Sequence, residues 1–179
     1  MMSIISTNYN EIASTQSELE ASKNALAENY IRIETLAYHD GLTGLYNRIA
    51  FLKYAYDLLH SSSNFDRHAI FFIDLDNFKN VNDTLGHDYG DILLKQVSNK
   101  LSSFIDDSDI LARTGGDEFL ILKNHVGTDA ELATFAKTLV DIASHPFLLE
   151  EETVFVSMSV GVSIFPQNGL SINELIKNA

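Results

Sequence analysis

The chain has 179 residues, no cysteine, and 25 acids against 12 bases, giving a net charge of −13. Without cysteine there are neither disulfides nor thiolate metal sites. A strongly acidic chain also opposes nucleic-acid binding, which draws on Lys and Arg contacts to phosphate. A hydrophobic content of 45% can support the core of one domain with an appendage.

The first segment differs from the rest. Ile5, Ile12, Leu19, Leu26 and Ile33 recur every seven residues, the spacing of a coiled-coil seam. The second seam position carries Asn8, Thr15, Ser22 and Asn29 before Leu36 restores apolar character. Polar seam residues set register at a cost in stability, so residues 1–38 read as a weak, parallel dimerising helix. The alternative is an amphipathic helix lying on its own domain. A helix this long without strong caps favours the coiled coil.

Residues 39–179 read as the second domain. The pattern predicts a helix over 47–60, with Ala50, Phe51, Tyr54 and Leu58 along one side. The apolar run 69–73 reads as a strand buried on both faces, and it ends in Asp74-Leu75-Asp76. Strand alternation puts Asp74 and Asp76 on one face where the chain leaves the core. Packing gives no reason for a buried strand to end in paired acids. A calcium loop starting at Asp74 would need Gly and Glu where Lys79 and Leu85 stand, so that reading fails. Few oxygen ligands beside a lysine suit Mg²⁺ carrying nucleotide phosphates.

A short helix is predicted near 78–85. Gly86 and Gly90 bracket a turn, and Asp91 caps a helix over 92–104. Asn82 could donate to the carbonyl edge of guanine, and Asp91 could accept from its ring N–H and amino groups. Ordinary turn chemistry is the competing explanation for both. Gly115-Gly116 lies between the apolar segments 110–112 and 119–122, which predicts a β-hairpin turning on the glycines. Asp117 and Glu118 follow at once. Adjacent anions at a tight turn repel, so a cation is the natural explanation, and a solvated acidic hairpin is the alternative. The acids at the end of the buried strand favour the cation. Glycine at Gly116 also lets a ligand's phosphates approach the backbone.

Residues 129–145 are expected as a helix capped by Thr128 or Asp129. Leu132, Phe135, Ala136, Leu139, Val140 and Ala143 form its core stripe. A strand is expected over 154–162, and a last helix begins near Ser171. Interleaved helices and hairpins predict an α+β sandwich with helices over an antiparallel sheet. The six histidines lack zinc-like spacing and most read as surface residues. No apolar run is long enough for a membrane span, and the N-terminus lacks a secretory pattern, so the default expectation is cytoplasmic, with a parent protein that could be membrane-tethered.

Five blocks now stand in register: residues 40–48, 72–83, 86–91, 115–119 and 157–162. Together they resemble the GGDEF-domain diguanylate cyclases from about Leu36 to Asn178. The resemblance sharpens the fold to a ferredoxin-like nucleotidyl-cyclase, or polymerase-palm, core behind an N-terminal signalling helix with a hinge at the junction. It implies that two domains each bind GTP and condense the pair into cyclic di-GMP with release of two pyrophosphates. It implies Mg²⁺ (or Mn²⁺) held by Asp74 and Glu118, assisted by the Leu75 carbonyl and Asp117. The amides of Asn77 and Phe78 would cradle the β- and γ-phosphates, with Lys79 adding charge. One acid of the Asp117/Glu118 pair would take the hydroxyl proton, and Asp117 is favoured. Asn82 and Asp91 resemble the family's guanine contacts, and His87 is a weaker candidate. The metal would offset the conflict between an acidic chain and a polyanionic substrate.

Implied partners are GTP, a second copy through the N-terminal helix, and a fused sensor or phosphodiesterase domain. Arg48 and Asp40 are expected to pair structurally near the junction. Many members carry an inhibitory Arg-x-x-Asp ahead of the Gly-Gly turn; here residues 106–109 read Asp-Asp-Ser-Asp, so the arginine is replaced by an acid. The chain stops at Ala179, where the family's C-terminal helix continues, so that helix is expected to be truncated. A catalytically inert, GTP-binding module that controls a fused phosphodiesterase is the competing function.

Overall fold

The computed structural model describes residues 2–63 and 66–179, with side chains from Thr15 onward apart from Ser17. The chain divides into two compact units, Met1–Ala37 and Tyr38–Ala179. The first is carried by helix α1 (Met2–Tyr38), 37 residues or roughly 55 Å of continuous helix. Leu19, Leu26, Ile33 and Leu36 of the heptad pattern stand exposed along it, Leu36 at 74%. The side chains of the earlier seam residues Ile5, Asn8 and Ile12 lie outside the described residues.

The second unit runs α2 (Arg48–Ser61), β1 (His68–Asp76), α3 (Phe78–Leu85), α4 (His87–Ser102), β2 (Ile110–Gly115), β3 (Glu118–Lys123), α5 (Asp129–Ala143), β4 (Phe147–Leu149), β5 (Glu152–Val154), β6 (Ser157–Phe165) and α6 (Ile172–Asn178). Four strands form an antiparallel sheet in the order β2-β3-β1-β6. That is the split βαβ arrangement of a ferredoxin-like sandwich, with an extra β4–β5 hairpin. β1 is central because it has apolar side chains to offer on both faces. Phe71, Ile73 and Leu75 meet Leu93, Val97 and Leu101 of α4 and Leu139 of α5 in one core. Ile70 and Phe72, on the opposite face, join Phe51 and Ala55 of α2, Leu120 and Leu122 of β3, and Leu175 of α6 in a second. Burying each such side chain contributes about 1.5–3 kcal/mol.

Local signals start the helices. Asn47 accepts from the Ala50 amide and caps α2, while Thr128 and Ser171 head α5 and α6 with capping boxes to Glu131 and Glu174. Gly115 (φ 138°) and Gly116 (φ 57°) make the predicted hairpin turn.

Four expectations are corrected. Asp91 caps no helix: α4 begins a turn earlier at His87, after Gly86 (φ 97°) breaks the chain, so Asp91 lies in its second turn. The expected strand 154–162 is two strands. The chain reverses at Glu150 (φ 56°), pairs back onto β4, and crosses through exposed Phe155 and buried Val156 before β6 begins. Val140 is 38% exposed and Ile142 takes the core position on α5 instead, because the helix presents a narrow stripe to the sheet. Asp40 pairs not with Arg48 but with Arg113, Nη1 to Oδ1 at 3.0 Å. Arg48 is exposed at the start of α2.

Candidate active site

Alternation along β1 carries the second core's face from Ile70 and Phe72 onward to Asp74 and Asp76, where the apolar floor ends. In the antiparallel register Asp74 stands directly opposite Glu118 of β3 on one side and Ser159 of β6 on the other. Two carboxylates directly opposed on neighbouring strands are destabilising. The Asp74 carboxyl accordingly titrates above its ordinary value, first because it is partly buried and then because Asp117, Glu118 and Asp76 surround it with negative charge. The Gly-Gly turn brings Asp117 into this group: its carbonyl accepts the Leu75 amide at 3.3 Å. Thr114 Oγ1 donates to Glu118 Oε2 at 3.3 Å. Asp74, Leu75, Asp117 and Glu118, from two distant segments, therefore converge.

Among the described residues, no three His, Cys, Asp or Glu side chains form a set that could hold a metal unaided. The donor set on offer is two opposed carboxylates, the neighbouring Asp117 and the carbonyl of Leu75, whose side chain is buried. It suits a hard cation such as Mg²⁺ or Mn²⁺ that takes its remaining oxygens from a ligand. The mutual repulsion at Asp74 is what such an ion relieves.

The chain leaves β1 through Asn77, in a left-handed conformation (φ 63°, ψ 13°), directly into α3. The first amides of a helix have no intrahelical partner, and Phe78 and Lys79 follow at once; the Asn80 amide already donates to the Asn77 carbonyl at 2.9 Å. Phe78 is buried in the core below, and Lys79 beside it is exposed.

Asn82 lies further along α3, against α4. Its Oδ1 is buried without a hydrogen-bond partner. That amide occupies the space a side chain on Gly90 would need: a Cβ there would sit 1.9 Å from Asn82 Oδ1 and 3.2 Å from Phe78 Cζ. Gly90 is thus inside α4 for close approach, not in a turn. Asp91 follows it, exposed, and His87 opens the helix, also exposed.

Sequence reasoning missed Arg113 and the two serines, Ser157 and Ser159, that hold Asp76. Arg113, just before the hairpin, reaches both Asp40 oxygens through Nη1 (3.0 and 3.1 Å) and the Gly116 carbonyl through Nε and Nη2 (3.0 and 2.7 Å). It ties the turn after α1 to the acidic hairpin. Burial pushes the Asp40 carboxyl up, but the Thr43 hydroxyl and amide together with Arg113 outweigh it and hold it low. Asp76 accepts from Ser157 Oγ (2.6 Å) and Ser159 Oγ (2.7 Å). An arginine beside a Gly-Gly turn and serines alternating along a strand were the available signals.

A cavity of about 330 Å³ between α4 and α5 is lined by Lys100, Phe104, Thr138, Asp141, Ile142 and His145, none of them an acid of this site.

Sheet order, opposed acids and glycine hairpin define a nucleotidyl-cyclase-like domain. The sequence matches the family described as "Diguanylate cyclase, GGDEF domain" over residues 37–179, and the chain belongs to that family. It is 39% identical over 167 residues to the cyclic di-GMP phosphodiesterase NbdA of Pseudomonas aeruginosa, covering 93% of this chain and 21% of NbdA. It is 37% identical over 168 residues to that organism's bifunctional diguanylate cyclase/cyclic di-GMP phosphodiesterase MucR, covering 91% of this chain and 24% of MucR. The chain thus spans about a fifth to a quarter of these relatives. Among solved structures, the GGDEF domain of TpbB (YfiN) from the same organism superposes with a TM-score of 0.76 at 31% identity, covering 79% of this chain and 84% of that one. The coiled coil and GGDEF domain of DgcB from Caulobacter crescentus superposes with a TM-score of 0.79, covering 93% and 88%; at 22% identity this speaks for the fold alone. No described helix is long and apolar enough to cross a membrane.

Proposed function

We propose that this domain is one half of a diguanylate cyclase that condenses two GTP into cyclic di-GMP and two pyrophosphates, each domain presenting its nucleotide to a second copy. The observation that carries the reading is the opposition of Asp74 and Glu118 in one register pair, with Asp117 on the Leu75 amide. Asp74, Glu118 and the Leu75 carbonyl hold Mg²⁺ or Mn²⁺, and Asp117 assists. Such an ion polarises the phosphoryl group and lowers the proton affinity of the attacking hydroxyl. The Asn77 and Phe78 amides and Lys79 orient the β- and γ-phosphates. Gly116 leaves room for them beside the hairpin. Asn82 and Asp91 read guanine, with His87 at the rim. One acid of the Asp117/Glu118 pair, Asp117 in our reading, accepts the 3′-hydroxyl proton as that oxygen attacks the α-phosphate of the facing GTP.

Residues 1–38 act as a dimerising helix through the apolar positions exposed on α1, and residues 39–179 as the cyclase domain. The inhibitory position ahead of the hairpin is self-satisfied. Asp109 is buried, accepting from Lys123 Nζ (2.8 Å) and the Asn124 amide (2.9 Å), and Asp106 shares the same lysine (3.1 Å). No guanidinium is offered there for bidentate grip on phosphate or guanine.

The phosphodiesterase name of NbdA favours one second reading, a GTP-binding module that regulates a fused phosphodiesterase without cyclising. Incubation with GTP and Mg²⁺ separates the two. Cyclic di-GMP and pyrophosphate support the cyclase; saturable GTP binding without pyrophosphate refutes it in favour of the module.

A further inference from the structure

Asp76 is the last residue of β1, and Ser157 the first of the edge strand β6. They are register partners, as are Asp74 and Ser159. Strand ends fray where the ladder stops, yet here each oxygen of one carboxylate takes one hydroxyl: Oδ2 from Ser157 and Oδ1 from Ser159. With both oxygens committed to β6, the carboxylate is oriented away from Glu118 on the other side of β1. The next residue, Asn77, sits at φ 63°, a left-handed conformation that asparagine tolerates better than most side chains, and so turns the chain sharply out of β1. The corner so formed carries the Leu75 carbonyl before it and the first amides of α3 after it.

We propose that Asp76 is a positioning residue: clamped by the Ser157 and Ser159 hydroxyls, it fixes the corner between β1 and α3 from which the Leu75 carbonyl and the Asn77 and Phe78 amides face the metal-bound triphosphate. The assignment rests on the nucleotide reading of the site. It separates the acids of β1 by role: Asp74 contacts the ion, and Asp76 acts through the backbone.

The test uses Ser157→Ala/Ser159→Ala in the full chain, which removes both donors without touching an acid. Calorimetry with GTP and Mg²⁺ is expected to show affinity weakened roughly tenfold or more, since sub-ångström misplacement of a binding frame is costly. Amide exchange at residues 77–79 is expected to accelerate, with the unfolding midpoint held within a few degrees. Ser157→Thr/Ser159→Thr, which restores the hydroxyls, recovers wild-type affinity and exchange. If the alanine variant exchanges those amides at the wild-type rate, the clamp idea is overturned. If it binds Mg²⁺-GTP as well as or better than wild type while Asp76→Asn abolishes binding, Asp76 is a metal ligand and the idea is equally overturned. Failure of the wild-type chain to bind GTP removes the nucleotide reading instead, and the exchange comparison still decides whether the corner is clamped.

Discussion

Gly90→Ala is a sharp test of the α3–α4 contact. In an ordinary helix interior this substitution stabilises by about 0.8–1 kcal/mol through backbone entropy and helix propensity. Here the new methyl would lie 1.9 Å from Asn82 Oδ1, 3.0 Å from Asn82 Cγ and 3.2 Å from Phe78 Cζ. Real carbon–oxygen contacts do not approach 1.9 Å, so the Asn82 amide must leave its place. Overpacking of this kind costs typically about 1–3 kcal/mol. Set against the propensity gain, the net is a loss of up to about 2 kcal/mol. For a folded unit of this size that is a fall of roughly 6 °C in unfolding midpoint, at about 3 °C per kcal/mol. GTP affinity should fall further than stability, because the displaced amide is the proposed guanine donor. The assay is thermal unfolding and GTP calorimetry on Gly90→Ala, Asn82→Ala and the double variant. In the double variant the methyl has space, so stability should return to or above that of Asn82→Ala, while GTP affinity stays low. A Gly90→Ala protein that is more stable than wild type and binds GTP normally would refute both the contact and the role given to Asn82.

Glu118→Gln should abolish cyclic di-GMP formation by withdrawing a charge from the ion, while the unfolding midpoint is held or rises because repulsion with Asp74 is relieved; turnover at the wild-type rate would remove Glu118 from the chemistry. Arg113→Lys should behave nearly like Arg113→Ala, since an ammonium cannot grip Asp40 and the Gly116 carbonyl together; a kcat preserved in the lysine variant and lost in the alanine variant would show that charge alone suffices. His68 is buried, and its Nδ1 accepts the His125 amide while Nε2 meets Ser62 Oγ at 2.7 Å. Burial first, then His125, lowers its proton affinity below the ordinary 6.5. The unfolded chain therefore takes the proton that the native chain resists. This contribution is complete above pH 6.5 and is lost as pH falls from there through the native value. Urea midpoints followed from pH 7.5 to 5 should show that decline in the wild type and a flatter profile in His68→Gln; identical slopes would contradict it. Cyclic di-GMP titrated calorimetrically should show no sub-micromolar site involving residues 106–109, and such a site would disprove the self-satisfied ion pair.

The architecture was legible because its determinants are local. A buried strand must be apolar on both faces, a hairpin turn needs positive φ, and caps need Asn, Thr or Ser at fixed offsets; 69–75, 115–116 and Thr128 carried those signals. What was not legible depends on partners far apart in sequence. Gly90 looked like a turn residue because nothing in 86–91 announces the Asn82 side chain that fills its space. The strand over 154–162 looked continuous because its break is set by which sheet each half pairs with. Asp40 was matched to Arg48, eight residues away, when its cation lies 73 positions on.

The same distinction explains the layout of the candidate site. Each short motif supplies one rigid piece: the strand end with Asp74, the glycine hairpin with Glu118, the helix start after Asn77, the Asn82–Gly90 contact. None of them binds a nucleotide alone. The groups that set the pieces against one another are Arg113 between Asp40 and Gly116, and Asp76 between Ser157 and Ser159. Each reaches across the fold by hydrogen bonds from side chains that touch no substrate in the proposed mechanism. At this end of the sheet, backbone pairing fixes which acids meet, but not the orientation of the carbonyl and amides beyond the last ladder bond. That residual freedom is what a charged side chain at the strand's end removes. Removing the hydrogen-bonding groups at Arg113, Ser157 and Ser159 should therefore act on KM and metal requirement more than on unfolding, whereas losses at Phe71 or Val97 should do the reverse.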